Sequence, residues 1–224
     1  MSMKKVIEVA RGELGTCEEP SGSNIQKYGA AFGLNAAPWC VIFLWWVFQQ
    51  AGERMAFFGG GKTASCSTLL RWYREQGLTV PVDEVQVGDI VILNFHWTKD
   101  TEHCGLVTEV NRWAVTRELM QIQTIEGNTS VNGSQDNGGM VAEKTRYPYQ
   151  IVAVCRPQYK EEEPVLTDTK PDYADHWAYK DIVWVKDKGF MQGYPDGSFR
   201  PDQPVTRAEL AAVLRRLAEM EGKK

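Results

Sequence analysis

A cysteine leading a hydrophobic segment is the residue with the clearest reactive potential. Cys40 stands in APWCVIFLWWVFQQAG, where Pro38-Trp39 runs into it, an apolar stretch continues from Val41 to Phe48, and Gly52 closes the segment. That pattern predicts a buried helix with a thiol in its first turn. The thiolate is the nucleophile, and a helix N-terminus favours it by about 0.3–1 kcal/mol, rarely ~2. From an ordinary thiol pKa near ~8.5 this leaves Cys40 only partly ionised at neutral pH, so it needs a second helper. The chain holds three histidines. His176 lies far along the sequence, and His96 sits between Phe95 and Trp97. His103 heads a strand-like run after TKDTE, where a side chain can face a cleft, while Cys104 points to the opposite face and reads as core. Downstream, in IEGN, Glu126 and Asn128 are two apart and project from one side of an extended segment. A carboxylate or amide there can hold an imidazole in the tautomer that accepts a thiol proton. Cys40, His103 and Glu126 or Asn128 thus form a set for acyl transfer. The alternative for Cys40 is a small core residue.

The elements that must position this set follow from periodicity. Met3 to Leu14 reads as an amphipathic helix stopped by Gly15, and the loop TCEEPSGSN leads to a helical turn holding Tyr28. Ser65 to Gln76 is a further helix, with Leu69, Leu70, Trp72 and Tyr73 on its apolar side. The period then changes: Asp89–Phe95, His103–Val110, Leu119–Glu126 and Ile151–Arg156 are β-branched runs separated by turn residues. Helices followed by an antiparallel sheet predict an α+β domain with the sheet packed on the Cys40 helix. Pro157 to Pro171 is charged, bounded by proline and aperiodic, which describes a linker. Beyond it, Trp177 to Lys188 reads as a helix with Ala178, Ile182 and Val185 inward. A turn-rich loop GYPDGSFRPDQPV follows. Thr206 and Glu209 then form a capping box that opens a last helix carrying Leu210, Val213, Leu214 and Leu217. The expected organisation is a catalytic domain over 1–157, a linker over 158–171 and a small helical domain over 172–224.

Composition narrows the function classes. A net charge of −4 over 224 residues gives no basic face for nucleic acid. The run from Val41 to Phe48 is far short of the about 20 residues that span a bilayer, so no membrane partner is expected. Five cysteines are an odd number without zinc-ligand spacing, and reduced thiols are expected. In MSMKKVIEVARGELG the residues Glu8, Arg11 and Glu13 interrupt any apolar core of a leader, so no secretory signal is read.

The motifs APWC, GD-I-V, H-x-G-L-V, I-E-G-N and Arg156-Pro157, in that order, resemble the CHAP domain, the cysteine, histidine-dependent amidohydrolase/peptidase module, over about Val6 to Pro157. The resemblance implies a papain-like fold that cleaves amide bonds of bacterial peptidoglycan, with a catalytic set at Cys40, His103, Glu126 and Asn128. Glu126 would orient His103. Asn128 is read as a helper of Glu126, with oxyanion donor and turn cap as alternatives. Asn24 and Tyr28 match positions near the family's cleft, against plain loop and core roles. Some members hold calcium in an acidic loop ahead of the nucleophile, but YGAAFGLNAAPWC has no carboxylate, so no metal and no cofactor are expected. Asp196 and Asp202 lack the rest of a calcium loop.

The C-terminal part resembles an S-layer homology (SLH) domain over about Tyr173 to Leu217, on Asp175, Trp177, GYPDGSFRPD with its Gly193, and Thr206-Arg207-Ala208-Glu209. Such domains bind secondary cell-wall polysaccharides. Arg207 is the natural partner for a sugar-borne carboxylate, and Trp177 for a sugar face. SLH domains usually come in threes, whereas this chain has one, so a homotrimer is expected. Together the resemblances imply a phage or prophage endolysin, made in the cytoplasm and acting at a Gram-positive-type wall as an amidase or an endopeptidase. The competing readings are a catalytically dead wall-binding protein and a transglutaminase-like acyl transferase.

Overall fold

The structure, a computed structural model, describes residues 2–96, 100–132, 137–160, 171–194 and 197–221. The chain divides into two compact units, Met1–Glu162 and Glu163–Lys224. Most of the expected linker, and Asp196, lie outside the described residues.

The first unit is α+β. Helices α1 (Ser2–Gly12), α2 (Lys27–Phe32), α3 (Cys40–Gln50) and α4 (Cys66–Glu75) precede a six-stranded antiparallel sheet. Its strands are β1 (Thr79–Val80), β2 (Ile90–Leu93), β3 (His103–Arg112), β4 (Leu119–Thr129), β5 (Met140–Arg146) and β6 (Ile151–Cys155), in the order β1-β6-β2-β3-β4-β5. Two of them, β1 and β5, are not legible in the sequence as strands. The first is two residues long, and the second, MVAEKTR, is an edge strand whose alternation is masked by charge.

Helix α3 is hydrophobic all round because it is covered all round. Val41, Ile42, Phe43, Leu44, Val47 and Phe48 are fully buried, each stabilising the fold by about 1.5–3 kcal/mol. α3 packs on α1, α2, β3 and β4. Alternation along the sheet sends Ile90, Ile92, Cys104, Leu106 and Ile125 into the core shared with α3, and Val91, Leu93, Val107, Ile122 and Val154 into a second cluster.

Two of the sequence motifs act structurally. Asp89, just ahead of β2, accepts a fork from Arg156, just after β6, at 3.0 Å (Nε to Oδ1) and 2.9 Å (Nη2 to Oδ2). Asp89 is buried. The pair therefore fastens the ends of two neighbouring strands.

The second unit holds α5 (Tyr179–Asp187) and α6 (Arg207–Glu221). Its small core is Tyr173, Ile182 and Phe190. The predicted capping box is formed, with Glu209 N–H donating to Thr206 Oγ1 at 3.2 Å and Thr206 N–H donating to Glu209 Oε2 at 2.7 Å. Asp172 gathers the preceding loop by accepting from the N–H groups of Phe199 (2.9 Å) and Arg200 (2.7 Å). No helix among the described residues is long and apolar enough to cross a membrane.

Candidate active site

The structure places Cys40 as the first residue of α3, with Trp39 ahead of it and no side chain capping the helix. First-turn N–H groups and the positive end of the helix dipole therefore remain available to a negative sulfur. His103 opens β3, and Glu126 lies on β4. Both are fully buried.

His103 lies beside both Cys40 and Glu126. Its Nε2 is 3.1 Å from Glu126 Oε2. Neither ring nitrogen has the alignment of a hydrogen bond with a described residue, so the contact with Glu126 is an ion-pair approach and not an aligned bond. Catalytic contacts commonly have this looseness before substrate arrives.

Arg146, at the end of β5, completes the line. Its Nε donates to Glu126 Oε1 at 2.8 Å and its Nη2 to Glu126 Oε2 at 2.5 Å, and both side chains are buried. Thr124 Oγ1 donates to the same Oε1 at 2.6 Å, and the Phe95 ring lies under the guanidinium at 4.6 Å. Sequence reasoning did not find Arg146, because the strand that delivers it carries no strong apolar alternation. An arginine spaced to meet IEGN across an unrecognised strand has no local signature.

The electrostatics follow from this line of partners. Burial alone would raise the Glu126 carboxyl, but Arg146 and His103 bring it down to about 2. Burial would lower His103, yet Cys40 and Glu126 raise it to about 9. Hydrogen bonds from Cys104 and Cys66, with help from His103, hold the Cys40 thiol well below its ordinary range despite its burial. The row Arg146, Glu126, His103, Cys40 thus alternates groups pushed toward the positive and the negative form, each favouring the charged state of its neighbour.

Cys104 is core, as its place on β3 predicts, but its sulfur also approaches that of Cys40. The Sγ atoms of Cys40, Cys66 and Cys104 all lie within 4.8 Å of one another. Cys40 and Cys66 share a hydrogen bond of 3.8 Å. Cys66 opens α4, so three different elements bring these thiols together.

Asn128 is fully buried in a left-handed backbone conformation (φ 58°) beside a β4 irregularity. Its side-chain oxygen and nitrogen have no hydrogen-bond partner among the described residues. Gly127 beside it lies against α3, where an added Cβ would meet Phe43 and Trp39. Asn24 is half-buried with φ 55°, its N–H donating to Glu18 and its side-chain oxygen buried without a partner. Tyr28 does not open on a cleft. It is fully buried, with its ring against Trp39, Phe43 and Trp46 and its hydroxyl donating to Glu13 at 2.6 Å. The core role describes it, because an aromatic ring this well covered has no surface left for substrate.

The other histidines are engaged elsewhere. His96 Nδ1 is 2.7 Å from Glu102 at an exposed position, and His176 Nε2 is 3.3 Å from Asp202.

In the second unit, Trp177 is 87% exposed, which removes the core alternative for it. Asp175 and Arg207 are also exposed. Gly193 has φ 79°, and an added Cβ would lie 2.7 Å from the Ser198 carbonyl oxygen, so the turn itself requires glycine there. Gly193 borders a groove of 540 Å³ whose lining includes Arg200 and Arg216. Neither arginine was singled out from the sequence.

Comparison with known proteins divides along the same lines. Residues 33–128 match the CHAP domain, and residues 171–211 match the S-layer homology domain. Cell surface glycoprotein 1 of Acetivibrio thermocellus is 52% identical over 44 residues, covering 19% of this chain and 2% of that protein. The cellulosome-anchoring protein of the same organism is 46% identical over 48 residues, 21% of this chain and 11% of that protein. The chain thus spans a small fraction of the length of these curated relatives. Among solved structures, the wild-type endolysin LysIME-EF1 is similar with a TM-score of 0.43 and 15% identity, covering 72% of this chain and 66% of that one.

Proposed function

We propose that this chain, a CHAP domain followed by an S-layer homology domain, is a cysteine-dependent peptidoglycan hydrolase held at the cell wall by its second unit. The observation that carries the reading is the buried row Arg146–Glu126–His103–Cys40, in which the thiol is pushed toward its ionised form, the imidazole toward its protonated form, and a carboxylate is fixed behind it.

In this reading the Cys40 thiolate attacks a peptide carbonyl, and the developing oxyanion is met by the uncapped N–H groups at the start of α3. Asn128, with a buried amide and no partner among the described residues, is read as a support for Glu126 or as a further donor. His103 gives its proton to the departing amine. It then takes one from the water that attacks the thioester carbon, which releases the acid and restores the thiolate. Glu126, clamped by Arg146, keeps the ring oriented through both steps.

The bond cut is the muramoyl–L-alanine amide or a peptide bond of the stem or cross-bridge. Mass spectrometry of fragments released from purified peptidoglycan identifies it from the new amino terminus. Loss of all release in Cys40→Ala is expected. Equal release by Cys40→Ala and the unaltered chain would overturn the assignment.

The wall polysaccharide is assigned to the second unit, where exposed Trp177 offers an aromatic face and Arg207 a planar cation for a sugar-borne carboxylate. Arg200 and Arg216, at the groove beside Gly193, add cationic character. α6 leaves Leu210, Leu214 and Leu217 exposed at 47%, 56% and 37%. That stripe supports the reading that copies of the unit pack together as a trimer.

A further inference from the structure

We propose that Cys40, Cys66 and Cys104 form a binding site for a thiophilic d10 cation, zinc in the first instance, and that the bound ion takes the nucleophile out of action. The inhibitory half rests on the hydrolase reading, whereas the binding half stands on the geometry alone.

The three sulfurs come from the first turn of α3, the first turn of α4 and the start of β3, and all lie within 4.8 Å of one another. Sulfurs bound at about 2.3 Å to one tetrahedral zinc are about 3.8 Å apart. Cys40 and Cys66 are already 3.8 Å apart, so the remaining pairs need close by no more than about 1 Å, within the reach of small χ adjustments. All five cysteines are free thiols, so no disulfide competes for these three. All three residues are buried, Cys104 fully and Cys40 and Cys66 with 5% and 7% exposure. A sequence search for paired-cysteine spacing misses the site, because its ligands are 26 and 38 residues apart and meet only in the fold.

The chemistry balances without any change in oxidation state. Zinc binding forms three S–Zn bonds and releases one proton from each of Cys40, Cys66 and Cys104 that is still a thiol. Three thiolates and one Zn²⁺ leave a single negative charge, beside which stands His103, the neighbour of Cys104 at the start of β3. Donation to the metal draws charge from the Cys40 sulfur and lowers its nucleophilicity toward a carbonyl.

The test uses the full chain, reduced and freed of metal by dialysis against a chelator. Titration with Zn²⁺ is expected to give one ion per chain retained through gel filtration. Cd²⁺ in its place is expected to give a sulfur-to-metal charge-transfer band of three-thiolate intensity. Wall cleavage should be lost as the site fills and return on adding EDTA. Cys66→Ser and Cys104→Ala should each weaken binding by at least the about 10–100-fold that a supporting residue at a metal site typically costs. Cys17→Ala, at an exposed cysteine outside the cluster, should bind as the unaltered chain does. If Cys104→Ala fails to fold, Cys66→Ser and the cadmium band of the unaltered chain decide the matter. Binding that Cys66→Ser leaves unchanged, or a band of only one-thiolate intensity, overturns the site. Tight zinc binding by a metal-free chain that cuts no walls would instead overturn the hydrolase reading and leave the site standing.

Discussion

Arg146 shows how much a single side chain decides here. Glu126 is wholly buried, and a carboxylate without a partner in such a place costs several kcal/mol. Removing the guanidinium in Arg146→Ala should therefore destabilise the first unit by about 3–5 kcal/mol, read as a lower midpoint in urea unfolding. Arg146→Lys keeps a charge but loses the fork. It should recover part of the stability while cleavage stays depressed, and full recovery of turnover in that variant would show that Arg146 acts only as a charge. The same row sets the pH range. Glu126 has its carboxyl depressed from 4.5 to about 2, so its stabilisation is complete above pH 4.5 and disappears as pH falls toward 2. His103 is raised from 6.5 to about 9, so its stabilisation is complete below pH 6.5 and disappears as pH rises through 9. Thermal midpoints measured against pH should fall away on both sides, and Glu126→Gln should flatten the acid side. Retention of that acid limb in Glu126→Gln would mean another carboxyl is responsible. Cys40, His103 and Glu126 were legible because each sits at the head of a helix or inside a strand with a strong pattern. Arg146 and the Cys66–Cys104 contacts were not, since both depend on which strands and helices lie side by side.

At the level of elements, the site depends on how closely β3, β4 and α3 approach one another, and glycines permit the approach. A Cβ on Gly105 of β3 would lie 2.8 Å from Glu126 Cγ and 3.1 Å from Thr124 Cβ. Gly105→Ala should therefore displace the Glu126 side chain and lower turnover by more than it lowers stability, as a comparison of cleavage rate with unfolding midpoint would show. Gly127 of β4 faces α3 instead, where the added carbon would come within 2.5 Å of Phe43 Cβ. Because Phe43 is fixed in the core, Gly127→Ala should cost stability first, by about 1–3 kcal/mol. Equal effects of the two substitutions on both readouts would contradict this division. Most of these elements could be read from period alone. α3 was visible as an apolar run, and β2, β3, β4 and β6 as β-branched runs. The edge strand β5 was not, because an edge strand turns charged residues such as Glu143 and Lys144 outward and loses its alternation. The GD-I-V and Arg-Pro motifs were visible as signatures, but their meaning, a fork between Asp89 and Arg156, came only from the sheet order.

At the scale of the whole molecule, the chain joins a unit holding the buried row to a small unit that is poorly covered by itself. A unit of this size without a disulfide buries little apolar surface, and α6 keeps Leu210, Leu214 and Leu217 at the surface. Their spacing places them along one stripe of the helix, the arrangement that helices use to pack against copies of themselves. Three chains joined through this stripe would present three wall-binding sites at once. Once one site is bound, the others act at high effective concentration, which can strengthen attachment by about 10²–10⁴-fold with no new contact to the sugar. The prediction is a trimer by light scattering at micromolar concentration. Replacing Leu210 and Leu214 together by lysine should give a monomer that binds intact walls far more weakly. Its rate on small soluble peptidoglycan fragments should be unchanged, because neither leucine belongs to the first unit. An unaltered chain that is monomeric while its helical signal is intact would remove the trimer, and tight wall binding would then have to come from a single site.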